Sequence, residues 1–160
     1  MSRSGEIRRL IIDGYSLLFR ESSATRQRGQ SLSHARERLI RRIDRVAAAL
    51  AQEVVIVFDG QVANREEIAA GRLSLIFAPA GRTADAVIEQ MVHADPDPTS
   101  VCVVSSDRLE LVTVSAANAM AMSCTTFLEW LERVESGINQ AHTARRPPPR
   151  FTIGDVFPSA

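Results

Sequence analysis

The stretch "RRLIIDGYSLLF", Arg8 to Phe19, runs from an apolar segment straight onto an acid. Leu10, Ile11 and Ile12 read as a buried strand, Asp13 closes it, Gly14 turns the chain, and apolar residues resume at Leu17. Asp-Gly is a turn dipeptide, so this stretch alone gives a strand and a turn. The same form recurs in "EVVIVFDG", residues 53–60, and in "VCVVSSD", residues 101–107. Continuous apolar runs of this kind suit strands buried on both faces, as in parallel sheets.

Helical periodicity fills the intervals. "SLSHARERLIRRIDRVAAAL", residues 31–50, repeats Leu32, Ala35, Leu39, Ile40, Ile43, Val46, Ala47 and Leu50 at helical spacing, with Ser31 or Ser33 as cap. "YSLLFR" opens a short helix, followed by a polar loop from Glu21. "RLSLIFA" reads as a third strand, and "RTADAVIEQMVHA" as a helix with Ala84, Val87, Ile88, Met91 and Val92 on one face. "DPDPTS" cannot continue that helix. After the fourth strand come a short helix, "RLELVTVSAAN", a short fifth strand, "AMAMS", and a last helix, "CTTFLEWLERVE". Alternating strands and helices imply right-handed crossovers and an α/β fold on a mostly parallel sheet of about five strands. From Ser136 the chain turns polar, then rich in arginine and proline at "ARRPPPRF", which reads as an extended tail over residues 137–160.

Composition narrows the function. At 160 residues the chain fits one domain, here residues 1–136, and zero formal net charge leaves no global field to attract a polyanion. All 19 basic residues are arginine; lysine is absent, which excludes P-loop and Schiff-base chemistry. Cys102 and Cys124 have no metal-ligand spacing. With no signal-peptide core or membrane span, the expectation is a reduced, cytoplasmic protein without membrane association. His34, His93 and His142 take no assigned role.

Four acids stand at equivalent places. Asp13 and Asp59 end strands, Asp107 lies just past the fourth, and Asp85 opens the helix after the third. Singly, each reads as a turn or capping residue. Together, a parallel sheet would bring them to the carboxyl edge of its strands, where such folds place their sites. Gathered anions repel unless a cation holds them, and hard divalent ions take oxygen ligands. Glu89 lies one turn beyond Asp85, a like-charge spacing that costs about 0.2–0.5 kcal/mol on a helix and that a metal would reverse. Metal-assisted phosphodiester hydrolysis needs no side-chain nucleophile, and none is evident here. There is no glycine-rich phosphate loop and no GxSxG elbow.

The blocks "LIIDGYS", "VVIVFDG", "GRTADAVIEQMV" and "VVSSDRLE", in this order, resemble NYN-domain proteins of the YacP type, within the wider PIN-like nuclease group. The resemblance spans about residues 7–135. It implies a three-layer α/β/α sandwich and a ribonuclease using Mg²⁺ or Mn²⁺ on RNA, whether ribosomal, transfer or messenger. The family's acids carry over onto Asp13, Asp59, Asp85 and Asp107, with Glu89 and Glu110 as lesser candidates. The expected metal ligands are Asp13, Asp85, Asp107 and Glu89, with Asp59 supporting. The family's first block reads D-G-Y-N, whereas this chain has Ser16, a single hydroxyl in place of an amide. Ser16, Ser106, Arg82 and Arg108 are the expected substrate contacts, with Arg20, Arg26, Arg28, Arg65 and Arg72 in nearby loops. The rival expectation is a non-catalytic RNA-binding or adaptor module on the same fold, its metal binding weakened at Ser16.

Overall fold

The structure, a computed structural model, describes residues 6–24, 31–60 and 72–145, apart from the side chains of 22–24 and 141–145. Among the described residues five strands form one sheet: β1 (Arg9–Asp13), β2 (Glu53–Phe58), β3 (Leu73–Phe77), β4 (Val101–Ser105) and β5 (Met120–Ser123). Their order is β3-β2-β1-β4-β5, and every pairing is parallel. Successive strands move outward from β1 to one edge, then cross back to build the other. The topological switch therefore lies between β1 and β4, the position where open α/β sheets form crevices.

Among the described residues five α-helices cover the two faces, completing the three layers. Alternation along the strands decides the partners. Leu10 and Ile12 of β1, with Val54, Ile56 and Phe58 of β2, pack against α1 (Gly14–Ala24), α2 (Leu32–Leu50) and α5 (Cys124–Arg145). Ile11, Val55, Val57 and Val103 point the other way, onto α3 (Ala84–Ala94) and α4 (Arg108–Ala116). Asp13 continues the Ile11 side of that alternation, toward α3 and α4.

The expected helices are present, with local differences at their ends. Ser31 caps α2 by accepting the His34 N–H at 3.3 Å. Leu32, expected on the buried face, is half exposed because it is the first helical residue, beyond the reach of the core. α1 continues through Ala24 into a segment expected as loop. "DPDPTS" holds a single 3₁₀ turn at Pro98–Ser100. α5 runs without a break past residue 136 to Arg145, so the first part of the expected tail is helix. Residues 146–160, with "RPPPRF", lie outside the described residues, as do Arg26, Arg28, Arg65 and the 61–71 segment. Among the described residues, no helix is long and apolar enough to cross a membrane.

The opposite, amino edge of the sheet is closed by side-chain ion pairs. Arg8 and Arg9 both reach Asp95, Arg9 Nε donates to Glu53 at 2.7 Å, and Arg8 Nε donates to Ser100 at 3.0 Å. On the α1/α2/α5 face, Arg42 donates to Glu135 at 2.7 Å and lies 3.6 Å from Glu21, tying three helices together.

Candidate metal centre

Asp13 ends β1 opposite Val57 of β2 and is only 7% exposed. Its carboxylate doubles as the cap of α1, the usual use of an acid before a helix. Oδ1 accepts the Ser16 N–H at 3.3 Å and Oδ2 accepts the Ser16 hydroxyl at 3.0 Å. The serine that departs from the expected asparagine is thus engaged with the acid itself, holding its rotamer. Gly14 is required between them: a Cβ there would lie 2.4 Å from the Phe58 ring.

Asp85 sits in the first turn of α3. Two side chains hold that helix start at the carboxyl edge. Thr83 caps it by accepting the Ala86 N–H at 3.2 Å, and Asp59 Oδ1 accepts the Ala84 N–H at 2.7 Å. Asp59 thus acts on the position of Asp85 through the backbone. α4 is set in a similar way: Asp107 is its N-cap and accepts the Leu109 N–H at 2.9 Å. Asp107 is exposed.

Glu110, in the first turn of α4, is the third acid that turns inward. It is 3% exposed. Its Oε2 accepts the hydroxyl of fully buried Ser105 at 2.6 Å, and Ser105 Oγ accepts the Asp107 N–H at 3.1 Å. No hydrogen-bond donor reaches its buried Oε1 among the described residues. Asp13, Asp85 and Glu110 each offer one oxygen, and the three oxygens lie within 4.8 Å of one another.

Three carboxylates at that separation cannot all be ionised without a counter-charge. Burial above all pushes Glu110 up to about 8; the Ser105 hydrogen bond opposes it, while the charges of Asp85 and Asp13 and a hydrogen bond that the protonated form shares with Asp85 add to the rise. Burial also raises Asp13, against the two hydrogen bonds from Ser16 and with the charges of Asp85 and Asp59. A proton or a cation among these oxygens relieves that repulsion. An orphaned buried oxygen in an all-oxygen donor set suits a hard divalent ion, which takes carboxylates and keeps several waters.

The structure thus brings Asp13 and Asp85 together and adds Glu110. Asp59 and Asp107 stand one step outside, capping the helices that carry Asp85 and Glu110. Glu89 is half-buried one turn further along α3. Arg82, Ser106 and Arg108 are exposed beside the starts of α3 and α4, and Arg20 and Arg72 are exposed as well. Glu110, a lesser candidate in the sequence, is thus a member of the cluster itself. Asp107 and Glu110 have the capping-box separation, in which the second acid normally folds back onto the backbone. A serine ending an apolar strand five residues before it, Ser105, was the available signal of a buried polar partner.

Comparison with known proteins agrees with this architecture. The profile of the YacP-like NYN domain matches residues 10–153. The chain is 25% identical over 134 residues to the uncharacterized protein YacP of Bacillus subtilis strain 168, covering 82% of this chain and 79% of that one. Its fold is similar to crystal structures of Rae1 (YacP) from Bacillus subtilis at 23% identity and a TM-score of 0.70. A tryptophan-to-leucine variant of that protein covers 88% of this chain and 86% of its own. For the other crystal structure the shares are 86% and 81%.

Proposed function

For a chain that belongs to the YacP-like NYN domain family, with its PIN-like nuclease fold, we propose a divalent-metal-dependent endoribonuclease acting on cytoplasmic RNA. The observation that carries the reading is the convergence of Asp13, Asp85 and Glu110 around the unpartnered oxygen of Glu110. These three would hold Mg²⁺ or Mn²⁺, with Glu89 and Asp107 as further oxygen donors. When bound, such an ion supplies an activated water and neutralises charge on the leaving oxygen.

The chain's own residues do the positioning. Ser16 holds Asp13 and favours its ionised form through two hydrogen bonds. Ser105 orients Glu110, while Asp59 and Asp107 fix the helix starts that carry Asp85 and Glu110. Arg82 and Arg108, exposed at the same helix starts, are placed to meet substrate phosphates; arginine suits bidentate phosphate contacts, and the chain has no lysine to share that role.

The test is Mn²⁺-dependent cleavage of a mixed RNA pool by wild type and Asp13→Asn. Loss of a ligand should lower the rate by at least about 100-fold. Equal cleavage by the two proteins would overturn the assignment. Absence of cleavage by either would favour the non-catalytic RNA-binding module.

A further inference from the structure

A second feature lies at the same edge of the sheet and takes no part in the metal centre. Phe58 and Phe77 are the last residues of β2 and β3, and their rings stack at 5.7 Å with 21° between planes. Tyr15, two residues beyond Asp13, meets Phe58 edge-on at 5.2 Å. Phe19, one turn further along α1, stacks on Tyr15 at 6.0 Å and 27°. The cluster grades from a fully buried ring, Phe58, through half-buried Tyr15 and Phe77, to Phe19 at 61% exposed.

A single exposed phenylalanine needs no explanation. This one is the open end of a supported aromatic stack, and a guanidinium is built into it. Arg36 Cζ lies 6.0 Å from the Phe58 centroid and 5.9 Å from that of Phe77, and Nη1 donates to the Tyr15 hydroxyl at 3.4 Å. Among the described residues, no carboxylate pairs with Arg36. Arg20, the neighbour of Phe19, is exposed, and its charge reaches Cys124 alongside those of Asp13 and Glu110. One flat ring held open to solvent at the end of the stack, with Arg36 built into that stack and the carboxylate site at the same edge, suits a ligand that is aromatic and anionic. An apolar protein segment brings no anion to Arg36, whereas a nucleotide brings a ring and a phosphate together.

Resting on the ribonuclease reading, we infer that Phe19, backed by Tyr15 and Arg36, is a stacking platform for one unpaired base of the bound RNA strand. The base lies on the outer face of Phe19, and its flanking phosphates face Arg36 and Arg20. Stacking tolerates any base, because each has a π-face, so the subsite selects for single-stranded RNA rather than for sequence.

Binding without metal tests this apart from cleavage. The probe is a single-stranded RNA of about eight nucleotides carrying 2-aminopurine, titrated in EDTA into the full chain. Phe19→Ala should weaken binding about 5- to 150-fold and Phe19→Trp should restore it. An abasic site scanned along the probe should find one position at which wild type loses affinity and Phe19→Ala loses no more. Unchanged binding by Phe19→Ala would overturn the proposal, as would losses that simply add at every position. Unchanged melting temperature in Phe19→Ala shows that the fold is intact. If Asp13→Asn cleaves like wild type while the Phe19 results hold, the nuclease reading falls and the platform stands. If Asp13→Asn is inactive while Phe19→Ala binds like wild type, the platform falls alone.

Discussion

Ser16 and Glu110 illustrate how far a role depends on where a side chain points. An asparagine at position 16 would offer both an acceptor and a donor. The serine offers one hydroxyl, and the structure commits it to Asp13. Ser16→Ala should therefore raise the Asp13 carboxyl further and weaken Mn²⁺ binding about 10-fold, read as a smaller Mn²⁺-induced rise in melting temperature than in wild type. Glu110 sets a pH dependence with a definite sign. Burial holds it at about 8 in the folded chain, whereas a free glutamate ionises near roughly 4.3. Between those values the folded protein retains a proton that the unfolded chain has released, so metal-free stability declines as pH rises across the window. Glu110→Gln should flatten that decline, and its melting temperature should exceed that of wild type by more at pH 8 than at pH 5. A metal needs the ionised carboxylates, so Mn²⁺ should stabilise wild type more at pH 8 than at pH 6.

The elements were largely legible because their patterns are unambiguous. "VVIVF" has no helical period, and "LIRRIDRVAAAL" has no other. Asp13 and Asp85 followed from strand ends and helix starts. What could not be read were contacts set by shape across elements. Nothing near Gly14 in the chain announces that the ring of Phe58, more than forty positions away, occupies the space a Cβ would need. In the sequence Glu110 is a lesser candidate, since only the tertiary position of α4 decides which way the acid faces. Gly14→Ala separates local from tertiary demands. At an early helical position, alanine is favoured by up to about 1 kcal/mol. The overlap with a buried ring should outweigh this and destabilise the protein by about 1–3 kcal/mol, measured by urea unfolding. A gain in stability would mean that Phe58 can move aside.

Across the whole molecule, the two ends of the sheet oppose each other electrostatically. At the carboxyl edge Asp13 and Glu110 are held above their ordinary range. At the amino edge burial would raise Asp95, but the Arg8 and Asp97 N–H hydrogen bonds and the charges of Arg8 and Arg9 outweigh it and hold the carboxyl below its usual value. A lowered carboxyl adds stability above the unfolded value of roughly 3.9, lost as pH falls through the folded value. Metal-free protein should therefore be most stable on the acid side of neutrality. Asp95→Asn should cost about 1–3 kcal/mol at pH 5 and lose less than wild type below pH 4, measured by thermal unfolding at each pH. The sheet order also has a consequence in time. β1 is central, yet its pairing with β4 joins residues 92 positions apart, as between Arg8 and Ser100. On a ribosome adding roughly 5–20 residues per second, Leu10, Ile11 and Ile12 emerge about 5–20 s before the strand that covers their second edge. Until then the nascent sheet has an open, apolar centre and no third carboxylate. The newborn chain is thus at greatest risk of aggregation before β4 and α4 arrive, and the step that covers the open strand edge also brings Glu110 to Asp13 and Asp85.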